Sequence, residues 1–270
     1  MENRNIRFPL SVEPAIGTAI LNQDWQAVLA LATKLQSDQL YVGFGTALRS
    51  FAYAGLGEFE IASGEMDKLS GLFAAEGQAG PNAHVMMLQG LLADLLGRKQ
   101  EAASHYDAVL RASGNSAFIA ITAGMGLARL SKSDHAMEIL QDRLSSNFNP
   151  EQLGRLLETK YGPTAPPLAL QDVFSMVFLL SPSLLPGDEL ESLILPRTHL
   201  GYALCLDCNY AAYRLGQTLV QLGDIENSFA YLDDVSLDTP WAQPAFLVKL
   251  SALDENGRRD DAISMIDNAI

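Results

Sequence analysis

Residues 205–208 read Cys-Leu-Asp-Cys and hold the only two cysteines of the chain. A CxxC pair can act as a redox dithiol or supply half of a zinc site. Zinc needs four ligands, and neither a second CxxC nor a paired-histidine motif is present to complete the set. A thioredoxin-like dithiol needs a βαβ setting, which the surrounding pattern does not provide. Read as one helix over 199–222, the stretch instead carries an apolar stripe of Cys205, Cys208, Ala212, Leu215, Leu219 and Leu222 at three-and-four spacing. Two small core residues are the expected role, with reactive thiols as the alternative.

The remaining candidates for chemistry are weaker. His84, His105, His135 and His199 are scattered without HxxxH or HxxH spacing. His84 and His105 fall in two helices of one unit and could be neighbours, but a metal site is not indicated. Carboxylates such as Asp233-Asp234 and Asp260-Asp261 sit at helix ends, where they complement the helix dipole or solvate a face. Gly-Phe-Gly at 43–45 lacks the preceding strand and third glycine of a dinucleotide fingerprint, so two small residues easing a helix crossing is the simpler account. No GxSxG, phosphate loop or HExxH occurs. The expectation is a non-enzymatic protein with no cofactor and no metal.

Composition narrows the partners. Lys and Arg number 18 against 32 Asp and Glu, a net charge of −14, which disfavours nucleic-acid backbones and anionic membrane surfaces. Hydrophobic residues make up 48% of the chain, enough for a continuous core. The most apolar stretch, 168–186, is broken by Asp172, Pro182 and Pro186 and reads as a buried helix rather than a membrane span. The opening residues, MENRNIRFPLSVEP, have no signal-peptide core, so a cytoplasmic protein is expected; a chain trimmed of its signal would instead be periplasmic or secreted.

The elements that must position any site are helices. Apolar residues recur at three-and-four spacing through nearly the whole chain, as in 86–110, where two apolar sets flank Gly97. These helix pairs repeat. A turn residue is followed five later by a small residue: Gly57 and Ala62, Gly97 and Ala102, Ser131 and Ala136, Gly223 and Ser228, Gly257 and Ala262. Four further on comes a bulky residue: Met66, Tyr106, Leu140, Leu232, Ile266. Gly90, Gly124 and Gly216 precede three of the turns by seven. Around Asp24 and Trp25 lies a weaker copy without glycine. Each pair leaves a face uncovered, so neighbours must stack on it.

The 34-residue spacing of Gly223 and Gly257, with Leu215, Gly216, Asp224, Ser228, Leu232, Val235 and Pro240, resembles a tetratricopeptide repeat. Gly90, Gly97, Ala102, Tyr106 and Leu110 match the same template. The likeness extends over about six units and roughly 190 of the 270 residues. The family's early tryptophan is missing from every unit, and one unit alone ends in the expected proline, so a related class of helix-pair repeat stays open. The resemblance implies an all-α fold, a right-handed α-solenoid of stacked antiparallel helix pairs. Three segments follow: N-terminal repeats over 1–146, an irregular Pro-rich segment over 147–198 and C-terminal repeats over 199–270. Within the middle segment helices are expected near 151–160, 168–180 and 187–195, as eroded repeats or as an element shaping a groove.

The resemblance also implies a function: a scaffold binding a protein or peptide along a concave groove lined by the first helix of each pair. The implied contact residues are Tyr210, Tyr213, Arg214, Gln217 and Gln221, then His84, Met87, Leu91 and Asp94, then Phe118, Ile121, Met125 and Arg129. Their mixed, weakly charged character suits an amphipathic helix or extended apolar peptide. The Lys/Asn set that clamps a terminal carboxylate is absent. The alternative is an accessory or regulatory subunit of an enzyme system whose catalytic chain is separate. At the C-terminal helix, Ala262, Ile263, Ile266 and Ile270 are expected to cover the preceding helix. Met265 and Ala269 would leave an apolar edge for self-association.

Overall fold

The computed structural model describes residues 12–38, 41–75, 82–112, 117–144, 149–162, 164–181, 191–205 and 209–268. Every regular element among them is helical. The first four pairs are α1 (Val12–Leu21) with α2 (Trp25–Gln36), α3 (Val42–Gly55) with α4 (Phe59–Ala75), α5 (Ala83–Leu95) with α6 (Lys99–Arg111), and α7 (Ala117–Arg129) with α8 (Ser133–Arg143). Then come α9 (Pro150–Arg155), which runs into a π-helical turn over Leu156–Lys160, α10 (Leu170–Leu180) and α11 (Glu191–Leu204). Two further pairs close the chain: α12 (Asn209–Gln221) with α13 (Ile225–Asp233), and α14 (Ala242–Glu255) with α15 (Arg259–Asp267). Consecutive helices pack on one another, so the chain is an all-α solenoid. No helix among the described residues is long and apolar enough to cross a membrane.

The six repeat turns are one device used six times. Gln23, Gly57, Gly97, Ser131, Gly223 and Gly257 all take positive φ, between 55° and 81°. The residue after each donates its N–H to the carbonyl five residues back, at 2.8–2.9 Å: Asp24 to Ala19, Glu58 to Tyr53, Arg98 to Ala93, Lys132 to Leu127, Asp224 to Leu219 and Arg258 to Leu253. That bond closes the Schellman turn and satisfies a helix-end carbonyl. Gln23 and Ser131 show that the turn tolerates a side chain where packing fixes the neighbouring helices.

Within the pairs, the small residues do what their spacing predicts. A Cβ at Gly90, Gly124 or Gly216 would come within 2.7, 2.6 or 2.5 Å of Tyr106, Leu140 or Leu232 on the partner helix. Each bulky residue therefore fills a notch left by glycine, and Ala62, Ala102, Ala136 and Ser228 are fully buried beside it. Gly45 likewise permits α3 to cross α2 backbone to backbone, where a Cβ would lie 2.7 Å from the Gln36 nitrogen.

Tyr106 is held twice. Its ring also fills the place a Cβ at Gly126 would take, 2.4 Å away on the next pair, and its hydroxyl donates to Asp94 at 3.2 Å. The ring has no room to swing. Gly126→Ala should therefore destabilise the protein by about 1–3 kcal/mol, although alanine favours a helix over glycine by about 1 kcal/mol. Gly71→Ala, at a position with open space, should stabilise it. Equal urea midpoints for the two variants would contradict this account.

The middle segment is not a spacer. Asn149 caps α9 by accepting from the N–H groups of Glu151 and Gln152, with Pro150 in the first turn. Every residue of α10 from Val173 to Leu180 is buried. This helix packs on α1, α3 and α5, the first helices of three pairs, and α11 packs on α1. Phe174 stacks on Trp25 at 5.7 Å between centroids and meets Phe51 edge-on at 6.2 Å, while Phe178 meets Phe44 at 5.5 Å. α11 extends through Pro196 to Leu204, well past the expected end at 195, because packing on α10 and α12 holds it.

Two expectations are corrected here. Residues 199–222 are not one helix: α11 ends at Leu204 and α12 begins at Asn209. Cys205 is therefore in the connection, half-buried, rather than on a continuous core seam, and Cys208 lies outside the described residues. At the C-terminus Ala262 is buried against α14, but Ile263 is 56% and Ile266 38% exposed, since α15 packs on α14 through a narrow face. Ala269 and Ile270 lie outside the described residues.

Candidate functional site

Because α10 covers the first helices of the first three pairs, the residues that could meet a ligand converge where α5, α7 and α12 approach. The N-cap Asn82 starts α5 by accepting from His84 and Val85 N–H groups, which sets His84 at the beginning of that helix. Burial, and then the charge of Arg214, push the His84 pKa down to about 4 from an ordinary 6.5. His105, also lowered by burial, sits instead beside Glu101.

Arg214 belongs to an aromatic cluster. Its guanidinium lies 5.8 Å from the centroid of Phe118, and its Nη1 donates to Gln217 Oε1 at 2.7 Å. Burial lowers its pKa. Phe118 stacks on Tyr210 at 5.1 Å, and Tyr213 stacks on Trp241 at 5.5 Å. Thus Phe118 of α7, Tyr210 and Tyr213 of α12 and Trp241 before α14 form one band, with His84 near it through Arg214. Tyr210 is buried, Tyr213 and Gln217 are half-buried, and Gln221 is exposed at the end of α12.

Asp94 and Arg129 form a second group. Arg129 donates through Nη2 and Nε to Asp94 Oδ2 at 3.0 and 3.3 Å, and the Tyr106 hydroxyl shares that oxygen. Burial works against the Arg129 charge, yet Tyr106 and Asp94 beside it raise its pKa. Met87 and Ile121 are ordinary core residues.

Between these groups lies a cavity of about 480 Å3. Leu91, Met125 and Arg129 reach it from α5 and α7, Met176 and Asp172 from α10, and Tyr210 from α12. Tyr161 and the run Ala165–Ala169 form the outer wall, and Cys205 completes it. Four residues implied by the repeat template, Leu91, Met125, Arg129 and Tyr210, thus meet in one place. Trp241, Asp172, Met176 and the 165–169 run were not among the expected site residues. The prolines of 161–169 were the available signal, since a Pro-rich run outside the repeat register has to lie across the array rather than within it. Among the described residues no group of three His, Cys, Asp or Glu side chains could hold a metal ion.

The His84 environment has a measurable consequence. The unfolded chain takes up a proton near pH 6.5 that the folded chain refuses until about pH 4. Stability is then highest above 6.5 and falls as pH drops toward 4, at most by about 1.4 kcal/mol per pH unit for one proton. His84→Phe should flatten that acid-side decline, leaving the part due to His105 and His199, which burial also lowers. Urea midpoints at pH 7.5 and 4.5 test it, and an unchanged difference between wild type and variant counts against it.

A family model described as the tetratricopeptide repeat matches residues 210–235, the span of α12 and α13. No curated protein matches the chain. Among the described residues, helices packed on their consecutive neighbours, together with this match, make the chain a tetratricopeptide-like helical repeat.

Proposed function

We propose that this tetratricopeptide-like helical repeat is a non-catalytic scaffold that binds a protein or peptide along the concave groove of its first helices. The observation carrying this reading is the open end of α12. Tyr213 and Gln217 are half-buried and Gln221 exposed within the matched unit, whereas α10 already covers α1, α3 and α5, the first helices of the first three pairs. The C-terminal pairs are therefore the part left for a partner, with Tyr210, Tyr213, Arg214, Gln217 and Gln221 as contacts. His84, Asp94 and Arg129 support that face from across the band. An amphipathic helix or apolar extended segment suits the mixed lining. A net charge of −14 keeps nucleic acid and anionic membranes off the surface. Two cysteines in 270 residues suit the reducing cytoplasm. In the same reading the protein can serve as the accessory subunit of an enzyme whose catalytic chain is separate.

The test is capture from source lysate with wild type and with Gln217→Ala/Gln221→Ala protein. A specific partner retained by the first should be lost from the second. Equal retention places the contact elsewhere.

The reading includes self-association through α15, supported by the exposed Ile263 and Ile266. Light scattering at high concentration should show a dimer that Ile263→Asp returns to a monomer. A wild-type monomer under those conditions removes it.

A further inference from the structure

The cavity between α5, α7, α10 and α12 has features that a peptide groove lacks. Its volume of about 480 Å3 lies in the range of small-molecule sites, and it is assembled by elements far apart in the chain. A bound peptide brings backbone N–H and C=O groups that must find partners once water is excluded. The wall offers few. Pro166 and Pro167 have no N–H, and no Asn or Gln lines the cavity among the described residues. The polar groups present are already committed. The Thr122 hydroxyl donates to Phe118 O at 2.8 Å, the Tyr210 hydroxyl contacts Ser175 Oγ at 3.3 Å and Met176 Sδ at 3.4 Å, and Arg129 is paired with Asp94. That pairing also cancels the one cationic charge that described residues bring to the wall, and Asp172 adds a carboxylate. An anionic ligand finds no unmatched positive charge there.

We propose that this cavity binds an uncharged, predominantly hydrocarbon small molecule, held by Leu91, Met125, Met176 and Tyr210 and covered by Pro166 and Pro167. This goes beyond the scaffold reading and uses a different part of the molecule from Gln217 and Gln221.

The test uses the full chain and the neutral fluorophore N-phenyl-1-naphthylamine, with 1-decanol as competitor. Expected are saturable one-to-one binding, displacement by decanol, at least tenfold weaker binding to Met125→Trp, which fills the cavity, and no change in Leu237→Ser. Leu237 is 85% exposed and reports adventitious surface binding. If Met125→Trp does not fold, Cys208→Ser protein replaces it, and saturating probe should slow alkylation of Cys205 at least fivefold. Non-saturable binding, equal binding to Met125→Trp, loss in Leu237→Ser, or alkylation indifferent to the probe would each overturn the proposal. So would equal affinity for the anionic analogue 8-anilinonaphthalene-1-sulfonate. A partner lost from Gln217→Ala/Gln221→Ala but retained by Met125→Trp protein leaves the two sites separate. A partner peptide lost from folded Met125→Trp protein that binds no probe assigns the cavity to peptide and overturns it.

Discussion

Phe174→Ala should lower the stability of the protein by about 3–5 kcal/mol, close to the whole margin of a small domain. The Phe174 ring is fully buried, stacks within 10° of parallel on Trp25 and abuts Phe51 edge-on. Its removal leaves a void between three helices that cannot collapse together, because α3 is already fixed to α2 and α4 on its other sides. The loss should also be cooperative across the array, since α10 joins α1, α3 and α5. Urea denaturation followed by circular dichroism measures it. A variant within 1 kcal/mol of wild type, by the scale of core truncations, would mean that α10 is a loose cover rather than core.

Glu13→Leu should cost a similar amount, about 3–5 kcal/mol, for an electrostatic reason. Arg197 is completely buried, and Glu13 Oε1 accepts its Nε–H at 2.7 Å. Its Nη1 and Nη2 are buried with no hydrogen-bond partner among the described residues, and the guanidinium lies over the Phe44 ring at 4.2 Å. Taking away the carboxylate leaves a desolvated cation supported by ring faces alone. The double variant Glu13→Leu/Arg197→Met removes both charges and should recover most of the loss. A double variant no more stable than Glu13→Leu would show that shape, rather than charge, governs this contact.

Much of the fold is legible in the residues because its rule is local. The turn at Gly97 and the notch at Gly90 are written within a few residues of one another, and each predicts one contact inside one pair. The residues about Gly223 are the clearest of these, and there the family model also matches. What is not legible lies between distant segments. Glu13 and Arg197 are 184 positions apart, and nothing in either neighbourhood announces the other. The buried stretch of α10 reads as buried from its composition alone, but an all-round apolar helix carries no face that says which partner covers it. The break at Cys205 was hidden for the opposite reason: its three-and-four spacing is helical, while the packing of α11 on α10 and of α12 on α13 sets two axes instead of one. Of the candidate site, Tyr210, Leu91, Met125 and Arg129 come from the template, whereas the 165–169 wall belongs to no repeat.

The position of α10 also bears on how the chain is made. A simple repeat array can consolidate pair by pair as it leaves the ribosome, since each unit touches only its neighbours. Here the first helices α1, α3 and α5 are covered by residues 170–180, which begin to emerge 149 positions after α1 ends (170 − 21) and 75 after α5 ends (170 − 95). At synthesis rates of roughly 5–20 residues per second, the N-terminal half spends several seconds with Phe44, Phe51 and Trp25 uncovered. In that interval the nascent chain presents the surface that chaperones recognise, and the arrival of α10 ends it.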